Sequence, residues 1–192
     1  MSAQLKLFAP AAPVEGFIYD EDFLSSGEEA ALAKRISDLP FRDFEFHGFV
    51  GKRRVVSFGW TYDFSGRTLK QAAEIPEFLL PLRARAARMV ALPAASFQHA
   101  LVTQYQSGAA IGWHKDKAVF GDVIGISLLA PCVFRFRRKR EDAWQRHSVA
   151  MQARSIYVLS GASRTDWEHS IPPVEELRYS ITFRNFTGER DA

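Results

Sequence analysis

From Phe97 to Phe186 the chain is a succession of short segments rich in β-branched and aromatic residues, most of them separated by turns carrying Gly, Pro, Asp or Ser. The segments are Phe97–Gln106, Ile111–His114, Val123–Leu129, Cys132–Arg137, Gln145–Met151, Ser155–Ser160 and Leu177–Phe186. Six or seven short strands over about 90 residues restrict the architecture to a sandwich or a barrel. The part before Pro93 reads differently. Ser25 with Glu28 and Glu29 opens a run to Leu39 with apolar residues at helical spacing, ended by Pro40. Pro76 to Leu92 reads as a second helix with Pro at its start. Between them, residues 41–63 crowd phenylalanines, valines, Trp60 and Tyr62 among glycines, which predicts strands or hairpins. Residues 1–14, with two prolines, read as a flexible lead-in. The expected layout is residues 15–92 packed on a β core of residues 93–186, with a tail at 187–192.

Composition excludes several classes. Of 192 residues, 47% are hydrophobic and 24% charged, an ordinary globular mix. A net charge of +3 permits a nucleic-acid partner without demanding one. The single cysteine, Cys132, rules out an internal disulfide and a cysteine zinc cluster, so no disulfide-linked partner is expected. It suits a reducing, cytoplasmic setting. No stretch of about 18 apolar residues is free of charge, so no membrane helix is expected, and the N-terminus has no apolar signal core. A phosphate loop, a dinucleotide fingerprint and a serine nucleophile elbow are all missing.

The chemistry concentrates in the β half. His114 and Asp116 stand at i and i+2 in Trp113-His114-Lys115-Asp116, and on a strand they share a face. His169 follows 55 positions later. Two histidines and an aspartate on one side of a barrel make a facial triad, which holds Fe(II) and leaves positions open for co-substrate and oxygen. The structural alternative is a histidine hydrogen-bonded to a neighbouring acid. Arg178-Tyr179-Ser180-Ile181-Thr182-Phe183-Arg184 alternates strictly, so Arg178, Ser180, Thr182 and Arg184 share a face. Buried guanidinium groups need anions, and two on one strand suit the ends of a short dicarboxylate. A merely solvated polar face is the alternative. His47, His99 and His147 read as structural or exposed, and Cys132 as core.

His114-x-Asp116, then His169, then Arg178-x5-Arg184 resembles the AlkB family of Fe(II)- and 2-oxoglutarate-dependent dioxygenases. Tyr105, nine residues before His114, and Phe58-Gly59-Trp60 add to the likeness, which covers roughly residues 15–186. The resemblance implies a jelly roll, or double-stranded β-helix, of α+β class, with an N-terminal lid that grips a nucleotide. It implies Fe(II) on His114, Asp116 and His169, with 2-oxoglutarate and O2 as co-substrates. Arg178 and Tyr105 would hold the distal carboxylate of 2-oxoglutarate, and Arg184 would sit near its other end and the ligand acid. Thr103 and Ser180 stand where many members have Asn. The reaction so implied is oxidative dealkylation of DNA or RNA bases by a monomer. A modified tRNA base or a protein side chain is the alternative substrate, and a non-catalytic nucleic-acid-binding module the second alternative. Candidate substrate contacts are Trp60 and Tyr62 with Lys52, Arg53 and Arg54, and a second basic run covers Arg135, Arg137, Arg138, Lys139 and Arg140. Ala118 stands where many base-repairing members carry an acid.

Overall fold

A computed structural model describes residues 14–46, 49–63 and 68–187. In chain order the elements are β1 (Phe17–Asp20), α1 (Ser26–Ser37), β2 (Arg42–Phe46), β3 (Phe49–Phe58), β4 (Trp60–Asp63), β5 (Thr68–Gln71), α2 (Leu80–Ala87), β6 (His99–Tyr105) and β7 (Ile111–His114). Then follow β8 (Phe120–Leu128), β9 (Cys132–Arg140), β10 (Ala143–Met151), β11 (Ile156–Leu159), α3 (Gly161–Thr165), β12 (Glu168–Ile171) and β13 (Arg178–Phe186). The expected lead-in 1–14 lies outside the described residues save Val14, as do His47 and, save Thr187, the tail.

Two antiparallel sheets make the core, as a jelly roll requires. The larger has the order β1-β11-β8-β13-β6-β3-β2, and the smaller β10-β9-β12-β7. Antiparallel strands with one face inward show alternating burial, and β9 does: Phe134 and Phe136 are buried while Val133, Arg135 and Arg137 are not. These rings join Phe17, Tyr157 and Trp167 in the cluster between the sheets. A second cluster lies on the other face of the larger sheet, where α1 and α2 cover Ile124, Ile126, Ile181 and Phe183.

The N-terminal part is not a separate layer. β1 forms one edge of the larger sheet by pairing with β11, and β3 extends its other side by pairing with β6. Only β4 and β5 stand apart, as a two-stranded hairpin. Gly59 makes that departure possible. Its φ is +72°, and a Cβ there would lie 1.9 Å from the Gln98 carbonyl oxygen. Helix α1 has the expected capping box at Ser25 and Glu28. The continuous second helix expected over Pro76–Leu92 is broken. Short 3-10 turns at Glu77–Leu79 and Arg88–Val90 flank an eight-residue α2, because Pro81 cannot extend a helix upstream. Three elements have no counterpart in the sequence expectations: β5, α3 and β12.

Candidate active site

β7 and β12 are antiparallel neighbours, and their register sets His114 directly opposite His169. The two imidazoles lie 4.2 Å apart between centroids. Asp116 does not share the strand with His114, as the spacing suggested. β7 ends at His114, and Asp116 hangs in the loop before β8. It still reaches the pair: one ligand atom from each of His114, Asp116 and His169 lies within 4.8 Å of the others. Asp116 Oδ2 is 3.6 Å from His169 Nε2.

Each ligand is held by a further group. His114 Nδ1 is 2.9 Å from the Gly112 carbonyl. Donation there leaves Nε2 with the lone pair, the orientation a metal-binding histidine needs. Phe134 stacks on His169 at 5.2 Å. Arg184 donates to Asp116 Oδ1 from Nε at 3.0 Å and from Nη2 at 2.8 Å. Burial alone would raise the Asp116 carboxyl, but Arg184, His169, His114 and Arg164 together hold it well below the usual carboxylate range. Burial pushes His169 down to about 3, with His114 adding to the shift, and burial also lowers His114. The triad therefore presents an anionic oxygen and two neutral imidazoles near neutral pH. That is the donor set of a divalent-metal site, and Fe(II) with open positions fits it.

The loop carrying Asp116 is pinned from behind by a residue that the sequence reading passed over. Arg164, on α3, donates to the carbonyls of Asp116, Lys117, Phe120 and Gly121. Its signal in the sequence was slight, one arginine among small residues.

The arginines of β13 share the inward face, as alternation predicts. Arg178 is 1% exposed. Its Nε donates to Ser127 Oγ at 3.1 Å, its guanidinium lies 5.0 Å from the Tyr105 ring centre, and its Nη1 is buried with no partner among the described residues. An anion beside Nη1 would satisfy it, so the site fits a carboxylate. Arg184 does not match the expectation of two arginines awaiting one dicarboxylate, since Asp116 already neutralises it. Thr103 and Ser180 are cross-strand partners on β6 and β13, both buried. Tyr157, opposite Gly125 on β8, was not anticipated. Its ring occupies the space of the absent Cβ, 2.1 Å from the Cβ position.

The basic run of β3 divides at an irregularity in its pairing with β2, where Gly51 pairs with Phe44 and Arg54 with Asp43. Arg53 stacks over Phe44 at 3.8 Å and donates to the Ala110 carbonyl at 3.3 Å. Its charge is felt at His114. Arg54 turns the other way, donating to the Phe41 carbonyl at 2.9 Å beside Asp43. Lys52 extends toward Gly108. Trp60 meets Phe186 edge-on at 5.8 Å. The Tyr62 side chain lies outside the described residues. A half-open groove of about 510 Å³ borders the Asp116 loop, with Ala118, Asn185 and Phe186 in its lining. His99 is buried, the structural one of its two expected settings, while Cys132, expected in the core, is only partly buried. No helix among the described residues is long and apolar enough to cross a membrane.

Residues 19–184 match the family described as the 2OG-Fe(II) oxygenase superfamily. An Arabidopsis thaliana protein named alkylated DNA repair protein ALKBH8 homolog is 26% identical over 183 residues, spanning 83% of this chain and 51% of that protein. The mouse (Mus musculus) protein named tRNA (carboxymethyluridine(34)-5-O)-methyltransferase ALKBH8 is 27% identical over 180 residues, 89% of this chain and 26% of that protein. The chain thus spans about half the length of the plant relative and about a quarter of the mouse one. The solved structure of OsALKBH1 superposes with a TM-score of 0.68 at 18% identity, covering 88% of this chain and 96% of that one, and shares the fold.

Proposed function

This chain belongs to the 2OG-Fe(II) oxygenase superfamily, and from that premise we propose that it oxidatively dealkylates modified bases of nucleic acids. It is an AlkB-like dioxygenase that uses Fe(II), 2-oxoglutarate and O2. Bound iron supplies O2 activation coupled to decarboxylation of 2-oxoglutarate, giving succinate, CO2 and one oxygen atom for a substrate carbon.

The rest is the work of the chain's own side chains. His114, Asp116 and His169 hold the metal, with the Gly112 carbonyl and Arg184 fixing how two of them point. Arg178 binds the distal carboxylate of 2-oxoglutarate through the unpartnered Nη1, with Ser127 and Tyr105 orienting the guanidinium. Thr103 and Ser180 line the same inward face. Arg184 keeps Asp116 ionised. Trp60 offers an aromatic face to a base taken out of its stack, and Arg53 and Lys52 offer cations to the backbone. Arg54 stands apart from this group, since it donates to the Phe41 carbonyl and its charge is met by Asp43.

The observation that carries the reading is the coincidence of a complete triad and a buried arginine with an unpartnered nitrogen on one barrel interior. For the substrate, support comes from Trp60 on the detached hairpin and from a plant relative named for alkylated DNA repair. A modified tRNA base is the second reading. The mouse relative's name and the uncharged Ala118 beside the groove favour it. The test is a screen of methylated single-stranded DNA, duplex DNA and tRNA by mass spectrometry. Base-dependent loss of an alkyl group, iron- and 2-oxoglutarate-dependent, is expected. Turnover of 2-oxoglutarate that no nucleic acid stimulates would contradict the nucleic-acid reading.

A further inference from the structure

The smaller sheet has two unlike faces. Its inner face carries His114 and His169. On the outer face the register brings β7, β12, β9 and β10 side by side, with Arg137 opposite Glu168 on one side and Arg146 on the other. There a ladder forms. The Arg137 guanidinium lies 4.5 Å from the Trp113 ring centre and 4.4 Å from that of Trp144. Arg135 lies over Trp113 as well, at 5.0 Å.

The ladder is held in place from below. Arg137 Nε donates to Glu168 at 2.5 Å, and Arg135 Nε to Ser170 Oγ at 3.1 Å. Both contacts use Nε, and among the described residues Glu168 is the carboxylate that pairs with either arginine. Lys139 and Arg146 continue the face, both exposed. Strand alternation gives this face four cations, Arg135, Arg137, Lys139 and Arg146, against one acid, Glu168. The acids Glu141 and Asp142 sit beyond it, at the hairpin tip. Trp144 is 41% exposed although large and aromatic.

A purely structural ladder would stiffen the sheet without keeping an indole and two further cations in water. Cations alternating with partly exposed aromatic rings are the chemistry of a non-specific single-strand track, in which phosphates meet Lys and Arg and bases stack on the rings. We propose that the outer face of the smaller sheet binds the sugar-phosphate backbone of a single-stranded segment flanking the target base. Trp113 adjoins His114, and Glu168 and Ser170 flank His169, so the track lies one sheet thickness from the metal ligands. The proposal rests on the nucleic-acid reading above and adds a second contact surface, remote from Trp60.

Fluorescence anisotropy with fluorescein-labelled, unmodified single-stranded DNA and RNA oligonucleotides, over a salt series, tests it. The double variant Lys139→Glu, Arg146→Glu changes only exposed side chains. It is expected to bind about tenfold or more weakly at moderate salt, and to lose about 0.7 from the salt slope for each phosphate contact removed. Trp144→Ala is expected to weaken binding about fivefold or more while changing the salt slope little. Iron-dependent turnover of 2-oxoglutarate without nucleic acid should be unchanged in both, which shows an intact fold. Wild-type affinity and salt slope in the double variant would overturn the track while leaving the nucleic-acid reading standing. Failure of the wild-type protein to bind either oligonucleotide would overturn both.

Discussion

The two ends of β13 carry buried arginines in opposite states. At the Arg184 end the charge is balanced within the protein. Arg184 meets Asp116 through two hydrogen bonds, His99 Nδ1 lies 3.4 Å from its Nη1, and Phe120 packs over it. At the Arg178 end, six residues earlier, a guanidinium 1% exposed has a hydroxyl and an aromatic ring for company and no carboxylate among the described residues. A buried cation without a counter-ion is costly. Folding alone completes the Arg184 half of the site, and a ligand completes the Arg178 half. The metal end is pre-organised, while the other end is stabilised when an anion arrives.

The largest expected effect comes from breaking the balanced end. Asp116→Ala removes a metal ligand and strands Arg184 at once. Iron-dependent succinate formation should fall to background, at least about a hundredfold, while circular dichroism stays native-like. Retained turnover with normal iron content would remove the triad from the account. Arg164→Ala attacks the same end from outside, freeing four carbonyls from a buried cation. We expect a stability loss of about 2–4 kcal/mol by urea unfolding, from lost charge-assisted hydrogen bonds. Weaker iron binding at temperatures where the variant is folded should accompany it. Unchanged stability would mean that the loop holds itself.

Trp60→Ala tests a region outside both ends. It should reduce turnover of a nucleic-acid substrate by the roughly 1–3 kcal/mol that stacking on one base supplies. The uncoupled conversion of 2-oxoglutarate should survive. If both fall together with thermal stability, Trp60 is only an anchor for Phe186. The smallest effect concerns His99. Burial, then Arg184, pushes it down to about 3 from an ordinary 6.5, against the pull of Asp116. Between those values the unfolded chain is protonated there and the folded chain is not. Unfolding therefore takes up a proton, and stability falls as pH falls through that window by about 1.4 kcal/mol per unit at most from this one group. His99→Asn should flatten the slope of unfolding free energy between pH 6 and 4. An unchanged slope would show that His99 is protonated in the folded protein.

The β half was legible because its strands alternate, and alternation is a local signal. β7 ends where the pattern predicted, at His114, and β13 carries both arginines inward as read. β12 was invisible because Glu168-His169-Ser170-Ile171 holds a single β-branched residue and no aromatic one, and its pairing with β7 and β9 is remote in sequence. The same holds for Asp116. Its spacing suggested a strand, yet a loop places it, with Arg184 and Arg164 supplying the order from 68 and 48 residues away. Ser127 and Tyr157 could not be singled out, since one sits in an apolar run and the other owes its position to Gly125 on a neighbouring strand. The basic run Lys52-Arg53-Arg54 looked like one patch in sequence. The irregular pairing of β3 with β2 leaves Lys52 and Arg53 near Gly108 and Ala110 and turns Arg54 to the Phe41 carbonyl, so only part of that patch faces the site.

The claim that the two ends differ is tested most directly by anaerobic calorimetric titration of 2-oxoglutarate into Fe(II)-loaded protein, wild type against Arg178→Ala. The wild-type protein should bind one equivalent. The variant should bind at least about a hundredfold more weakly, the scale expected when one partner of a buried ion pair is lost at about 3–5 kcal/mol, with iron stoichiometry unchanged. Equal affinity in the two proteins would mean that the carboxylate lies elsewhere, and that the unpartnered nitrogen of Arg178 is not the co-substrate site.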